Sequence, residues 1–115
     1  MSLLDRLRPP APPEYRDDPG AGRLEVLVGG RRAGYAAYRR RPGAIALTHT
    51  EIDPEFEGQG LGGKLVRESL SRARAEGLAV LPFCPFVRSY IASHPAELDL
   101  VPADRRGEFE LPVDG

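Results

Sequence analysis

The sequence predicts an α+β fold, with a mixed, mostly antiparallel sheet and two helices. Short apolar stretches separated by glycine- and proline-containing turns fill residues 24–52. Apolar residues then recur at helical spacing between Leu61 and Glu76, which indicates an amphipathic helix. The continuously apolar segment Leu78–Leu81 follows, as expected for a strand buried on both faces. The predicted element order is therefore β-β-β-α-β-α.

The first three strands are predicted as a meander. Residues 24–28 alternate, and Gly29-Gly30 follows as the two-residue turn typical of a hairpin. A second turn at Pro42-Gly43 separates the next strand from residues 44–52, which are small or β-branched and show no helical periodicity. Three consecutive antiparallel strands are the simplest arrangement that these turns allow.

Glycine and proline also set the predicted helix ends. The first helix runs over residues 61–76 and stops at Gly77, which can adopt the left-handed conformation. The second starts after Pro85, because proline suits the first helical turn, with Phe86, Val87, Tyr90 and Ile91 on one face, and Pro95 closes it. The C-terminal tail is expected to add an edge strand at Glu108–Leu111.

The length of 115 residues is enough for one domain and too short for two. Five of the twelve prolines lie between Pro9 and Pro19, so residues 1–20 are expected to form a Pro-rich, extended or disordered arm. Residues 21–115 are expected to form a single domain. We expect a monomer by default, because no exposed apolar stripe stands out in the sequence.

Charge and hydropathy exclude several classes of protein. Lys and Arg number 16 against 17 Asp and Glu, for a net charge of -1, so the basic excess of a nucleic-acid binder is missing. No apolar run approaches the roughly 20 residues of a membrane span, and residues 1–7 lack the apolar core of a signal peptide. The one cysteine, Cys84, excludes an intramolecular disulfide. We therefore expect a cytoplasmic protein with a free thiol.

Four glycines lie within six positions between the third strand and the first helix: Gly58, Gly60, Gly62 and Gly63. Glycine lets the backbone approach a ligand closely, and a helix N-terminus favours anions. This pattern predicts a phosphate or pyrophosphate cradle, with a plain flexible turn as the alternative. The glycines also spell G-x-G-x-x-G, but a meander precedes them and no acid follows at the expected distance, so a nicotinamide dinucleotide site is excluded.

The loop also resembles the acetyl-CoA motif of the GNAT superfamily of N-acetyltransferases, (Arg/Gln)-x-x-G-x-(G/A). Residues Glu57–Gly62 match it except at Glu57, which stands where the motif has Arg or Gln. His49-Thr50-Glu51 before the loop and Pro82-Phe83-Cys84-Pro85 after the helix resemble the small single-domain group of that superfamily. The resemblance covers about residues 16–101, and it implies a minimal mixed-sheet acetyltransferase core.

The resemblance implies that acetyl-CoA is the acetyl donor. No His, Cys and Asp cluster has metal-ligand spacing, so we expect no metal. The acceptor would be a small amine or a protein amine, with no nucleic acid or membrane as a partner. The pyrophosphate would lie on backbone N–H groups of the glycine loop, and the pantetheine arm along the end of the preceding strand. The implied cofactor-binding residues are Glu51, Ile52, Asp53, Gly58, Gln59, Gly60, Leu61, Gly62, Gly63 and Lys64.

Four carboxylates precede the loop, at Glu51, Asp53, Glu55 and Glu57. They would repel a pyrophosphate if they faced it. Because alternate residues of an extended segment share a side, we expect all four to point away from the loop. This acidic face either attracts a cationic amine acceptor or is a solvated strand edge, and the sequence leaves both interpretations open.

Three side chains are candidates for the chemistry: Cys84, His49 and Tyr90. Cys84 precedes Pro85, so its sulfur is expected at a helix N-terminus that stabilises a thiolate; a buried structural cysteine is the alternative. His49 shares a strand face with Glu51 and is the candidate general base, with a structural histidine as the alternative. Tyr90 would protonate the CoA thiolate if the resemblance holds, although its helical spacing also fits core packing.

The leading hypothesis is an N-acetyltransferase that transfers acetyl from acetyl-CoA to an amine, either directly or through acetyl-Cys84. A non-catalytic module that binds acetyl-CoA and acts through a protein partner is the alternative. The small core favours this alternative, because it leaves few segments to form an acceptor pocket.

Overall fold

The computed structural model describes residues 11–113, which form an α+β fold around one five-stranded sheet. The strands are β1 (Glu14–Asp18), β2 (Arg23–Val28), β3 (Arg31–Arg41), β4 (Ala44–Ile52) and β5 (Ala79–Pro82). The α-helices of this part of the chain are α1 (Leu61–Ala75) and α2 (Pro85–Ser93). Strands β1 to β4 are antiparallel neighbours in chain order, and β5 pairs parallel to β4. The predicted fold class is confirmed.

The glycine turns lie where the sequence predicts them. Gly29 and Gly30 connect β2 to β3 with φ of +58° and +79°, the left-handed pair that a tight two-residue hairpin requires. Gly43, at φ +69°, turns the chain from β3 into β4. Gly77 follows α1 at φ +70° and ends that helix as expected.

Strand β1 corrects the prediction for the N-terminal arm. Residues 1–10 lie outside the described part of the chain, but Glu14–Asp18 pairs with β2 from Glu14↔Leu27 to Asp18↔Arg23. The prolines flank this segment without entering it, so its ladder of hydrogen bonds is intact at the sheet edge. Arg16 donates to Glu25 and Asp17 accepts from the Tyr38 hydroxyl, which ties the strand to its neighbours.

The C-terminal tail also differs from the prediction. The expected edge strand at Glu108–Leu111 is wrong, because Gly107–Phe109 forms a 3-10 helix that ends at Glu110 in the left-handed region, φ +58°. Phe109 and Leu111 are both buried. Their apolar side chains thus complete the hydrophobic core instead of extending the sheet.

Helix α1 packs across one face of the sheet and divides the core into two clusters. Leu61 and Leu65 join Leu24, Val26, Ala33, Ala36 and Phe56 near the start of the helix. Val66, Leu70 and Ala73 pack instead with β4, β5, α2 and the tail. Burying a leucine or valine side chain contributes about 1.5–3 kcal/mol, so the first cluster fixes the N-terminus of α1 beside the ends of β2 and β3.

A cavity of about 260 Å³ remains between the sheet and the C-terminal half of α1. Leu24, Leu47 and Ala73 contribute apolar walls, and Asp17 and Tyr38 lie in the same lining. The Tyr38 hydroxyl donates to Asp17 Oδ1 at 2.6 Å.

In residues 11–113, no helix combines the length and the apolarity needed to span a membrane.

Candidate functional site

Strand β4 extends beyond its pairing with β5. The parallel register runs from Ala44↔Ala79 to Leu47↔Pro82, whereas β4 continues to Ile52. Pro82 has no N–H to donate, and the next bond across the gap is from the Cys84 N–H to the Leu47 carbonyl at 2.9 Å. Residues 48–52 therefore have β3 on one side and no strand of the described chain on the other. Such an open edge has backbone groups available to an extended ligand.

The glycine loop leads from the end of β4 into α1. Gly58 and Gly60 have φ of +82° and +74°, a conformation that favours glycine. Gly60 is the N-cap residue of α1 and no side chain caps the helix. The first hydrogen bond at this end is from Lys64 N–H to the Gly60 carbonyl. Within residues 11–113, the backbone N–H groups of residues 58–63 have no acceptor, so this helix end is suited to an anion.

A cleft of about 270 Å³ lies against the loop, lined by Ile52, Phe56, Glu57, Gly58, Gly60, Leu61, Gly62, Gly63 and Phe86. Its far wall is Phe86 at the start of α2, a side chain 47% exposed. The buried face predicted for α2 is confirmed at Val87 and Ile91 and is wrong at Phe86. In the sequence, the signal that could have indicated a role for Phe86 outside the core is the position of this aromatic residue directly after the Cys84-Pro85 helix start.

The four acids before the loop have different surroundings. Glu55 is ion-paired with Arg31. Glu51 lies beside Tyr35, and the hydrogen bond between them, together with burial, raises the pKa of Tyr35. Glu57 contributes to the lining of the cleft, so it is an acid that lies next to the proposed pyrophosphate position.

Cys84 lies at the N-terminus of α2, as predicted. It is the N-cap residue, only 4% exposed, and its carbonyl accepts the Arg88 N–H. The thiol Sγ is 3.6 Å from the Thr50 Oγ1. The thiol is thereby directed at the open part of β4, and its chemical role stays a prediction.

His49 does not join Cys84. Successive side chains of a strand point to opposite faces, so His49 lies on the face opposite to Thr50 and its Cys84 partner. The exposed His49 ring is 6.0 Å from the Tyr35 ring, and Tyr35 lies directly opposite Glu51 in the register. The structure therefore brings His49, Glu51 and Tyr35 together, on the other side of β4 from the thiol.

Tyr90 lies on the loop side of α2. A Cβ at Gly63 would be 4.0 Å from the Tyr90 ring, and the ring stacks on His94 with centroids 3.8 Å apart. His94 Nδ1 is 2.7 Å from the Tyr90 carbonyl; since a carbonyl only accepts, this nitrogen carries the proton. His94 thus caps the helix and supports the Tyr90 ring.

The comparison of the chain with family models identifies its class as the acyl-group transferases. A model described as GCN5-related N-acetyl-transferase matches residues 23–100, more than half of the chain. The chain therefore belongs to the GCN5-related N-acetyltransferase family, in which acetyl transfer is the common activity. No curated protein matches the chain. Among residues 11–113, no group of three or more His, Cys, Asp and Glu side chains is placed to hold a metal.

Proposed function

We propose that this protein is an acetyl-CoA-dependent N-acetyltransferase that acetylates an amine by direct transfer. The observation that carries the proposal is the set of backbone N–H groups at residues 58–63, which have no acceptor in the described chain and which, apart from that of Gln59, belong to residues that line the cleft. They suit the pyrophosphate of CoA. The open edge of β4 beside them suits the extended pantetheine arm.

The residues present fit acetyl-CoA. The loop Gly58–Lys64 would hold the pyrophosphate, and the backbone at Glu51–Asp53 would hold the arm. Gly62 leaves a space beside Phe86 that a Cβ would fill, so the cleft depends on this glycine. Bound acetyl-CoA supplies an activated acetyl group to the open part of β4.

His49 serves as the base for the acceptor amine in this proposal. It is exposed on the outer side of β4, where an amine has access, and histidine is the side chain that most often acts as a general base. Cys84, in contrast, has the neutral Thr50 hydroxyl as its hydrogen-bond partner. Because Thr50 is no base for the thiol, the geometry supports direct transfer over an acetyl-Cys84 intermediate.

Tyr90 is the proposed proton donor to the departing sulfur. Stacking on His94 and contact with the start of α1 orient its ring. The amine then loses one proton to His49 and gains the acetyl group, and the sulfur gains one proton from Tyr90. Solvent restores both groups to their starting protonation states.

The test combines intact-mass measurement with the rate of CoA release from acetyl-CoA in the presence of a panel of primary amines. We expect amine-dependent release, no stable acetyl adduct on the protein, and a loss of about 100-fold in kcat for His49→Ala. An adduct that is absent from Cys84→Ala would refute direct transfer. Tight binding of acetyl-CoA with no release for any amine would instead show a non-catalytic binding module.

A matched pair of variants separates the two histidines. His94→Ala removes the stacking on Tyr90 and His49→Ala removes the proposed base, so His49→Ala should lower kcat far more than His94→Ala does. An unchanged kcat in His49→Ala removes His49 from the mechanism.

A further inference from the structure

The outer face of the sheet carries a row of directly opposed residues across its four antiparallel strands. Arg16 lies opposite Glu25, Glu25 opposite Tyr35, and Tyr35 opposite Glu51. We call these four residues with Arg23, Arg32 and His49 the outer-face cluster. Positive charge is concentrated around Glu25, with Arg16 on β1, Arg23 on β2 and Arg32 on β3, and the Glu51 carboxylate lies at the β4 end of the cluster, on the same strand as His49.

Three guanidinium groups surround one carboxylate at the positive end. Glu25 is 5% exposed. Arg16 donates to its Oε1 at 3.0 and 2.9 Å, and Arg32 donates to its Oε2 at 3.4 Å. The Arg23 Nε lies 3.8 Å from Oε2 and makes no hydrogen bond with it. One negative charge therefore balances one of three positive charges, and the positive end keeps an excess.

Arg23 has unused hydrogen-bonding capacity. Its Nε is buried and has no partner among the residues that the structure describes. Asp18, opposite Arg23 in the register, accepts the Ala21 N–H and makes no ion pair with Arg23 in residues 11–113. The Arg23 side chain is 31% exposed, so the accessible nitrogens of the same guanidinium group are open to an acceptor. A ligand carboxylate matches the planar fork of such a group.

Tyr35 connects the two ends of the outer-face cluster. The guanidinium carbons of Arg23 and Arg32 lie 5.1 and 5.6 Å from its ring centroid, so both cations are held beside this ring. On its other side, Tyr35 neighbours Glu51 and His49. A ligand lying along Tyr35 would thus meet cationic groups at one end and an acid with the proposed base at the other.

We propose that the outer-face cluster selects an acceptor that carries a carboxylate as well as its primary amine, that is, a small amino acid. The carboxylate pairs with Arg23 and Arg32. The ammonium group is drawn to Glu51 and releases one proton to solvent, and His49 takes the second proton as the neutral amine attacks the acetyl group. This inference rests on the proposed N-acetyltransferase function. Neighbouring strands are about 4.8 Å apart, so an amine several bonds from its carboxylate, as in 4-aminobutanoate, fits better than glycine.

The test compares 4-aminobutanoate with 4-aminobutanamide, which has the same length and amine but no negative charge. We expect kcat/KM for the acid to exceed that for the amide by about tenfold. Arg23→Gln, and independently Arg32→Gln, should reduce this ratio to near one by lowering kcat/KM for the acid. Arg41 is an exposed arginine at the end of β3, so Arg41→Gln is the matched control and should keep the ratio.

Calorimetry with the same two compounds gives a readout that does not require turnover. Binding of 4-aminobutanoate that is lost in Arg23→Gln supports the inference even if acetyl-CoA fails to bind, an outcome that would refute only the proposed function. Equal kcat/KM for acid and amide, or a preference that survives in both arginine variants, overturns the inference and leaves the acetyltransferase function standing. If neither compound binds or is acetylated, the amino-acid acceptor is wrong.

Discussion

Phe86 lies directly over Gly62: a Cβ added to Gly62 would be 2.9 Å from the Phe86 Cζ. The two residues come from different helices, α2 and α1, and both line the cleft beside the glycine loop. Gly62 is helical and has no unusual φ, so its glycine is required by the closeness of Phe86 and not by the backbone. The width of the cleft is set by this contact.

Gly62→Ala should weaken acetyl-CoA binding without unfolding the protein. Phe86 is about half exposed and can rotate away from the new methyl group, but it then moves into the cleft. We expect Kd for acetyl-CoA to rise about tenfold, measured by calorimetry, and the melting temperature to stay within a few degrees because alanine also favours the helix.

Phe86 supplies the control for this variant. If the steric contact is the cause, Phe86→Ala combined with Gly62→Ala should restore a Kd close to that of Phe86→Ala alone. Equal losses in the single and the double variant would show instead that Gly62 acts through its backbone.

Gly34→Ala should destabilise the fold strongly. A Cβ at Gly34 would clash with the Glu51 carbonyl oxygen and lie 2.7 Å from the Ile52 Cδ1. A carbonyl in a central strand pair cannot rotate away as a side chain can. We expect a loss of about 2–3 kcal/mol in the free energy of unfolding, measured by urea denaturation.

Gly107→Ala is the matched control for Gly34→Ala. A Cβ at Gly107 meets nothing within 4 Å, so this variant should unfold within about 0.5 kcal/mol of the wild type. A Gly34→Ala protein as stable as Gly107→Ala would contradict the close approach of β3 and β4.

Glu25 should make the stability of the protein depend on acid pH. Burial raises the pKa of its carboxyl, but hydrogen bonds from Arg16 and Arg32 and the charges of the arginines lower it more, so the pKa lies below its ordinary value of 4.5. A carboxyl with a depressed folded-state pKa contributes stability above its unfolded-state pKa and loses it as the pH falls through the folded-state pKa.

Unfolding titrations of the wild type and Glu25→Gln measure this contribution. We expect Glu25→Gln to be less stable by about 1–2 kcal/mol at neutral pH, and the difference to shrink below about pH 4.5. Glu14→Gln, which removes an exposed carboxylate on β1, should show no comparable narrowing. A constant difference at all pH values would contradict the ion-pair arrangement.

Tyr38 should titrate at unusually alkaline pH. Burial is the main cause, and the hydrogen bond to Asp17 adds to it, so the pKa of Tyr38 is raised from 10.0 to about 12. Stability that depends on the neutral phenol is complete below the unfolded-state pKa and is lost as the pH rises through about 12. Tyr38→Phe should cost about 1–2 kcal/mol at neutral pH, with the difference narrowing from about pH 10 upward.

Difference absorbance spectra between the wild type and Tyr38→Phe isolate this phenol from the other tyrosines. A transition near the ordinary tyrosine pKa would mean that the Tyr38 hydroxyl is neither buried nor hydrogen-bonded to Asp17. That result would also mean that no hydrogen bond between Asp17 and Tyr38 links β1 to β3.

Local signals were sufficient to predict most of the fold. The glycine turns, the start of α2 at Pro85 and the helical periodicity of α1 act over a few residues, and each appears within about one residue of its predicted place. Strand β1 was missed although its partner β2 is close in sequence, because prolines at both ends of Glu14–Asp18 obscured a short and mostly polar strand. Arg16 meets Glu25, and Asp17 meets Tyr38, and neither pairing leaves a periodic pattern in a segment rich in proline.

The candidate site was predicted only in part, because some of its features are local motifs and others depend on how separate elements pack. The glycine loop is a contiguous motif, and Cys84 at the start of α2 follows from the proline after it. The separation of His49 from Cys84 depends on strand alternation together with an irregular register between β3 and β4. Phe86 over Gly62 depends on how two helices pack, which composition and periodicity do not encode.

The sheet order carries a consequence for how the protein is made. Every antiparallel strand lies beside the strand synthesised just before it, so β1 to β4 can assemble one hairpin at a time as the chain leaves the ribosome. Strand β5 is different, because its parallel pairing with β4 must wait for α1 to cross the sheet. Strand β5 thus forms last, and because it is short it leaves the open edge of β4 unpaired. A chain halted before Ala79 would have the glycine loop but would lack Phe86 and therefore the complete cleft.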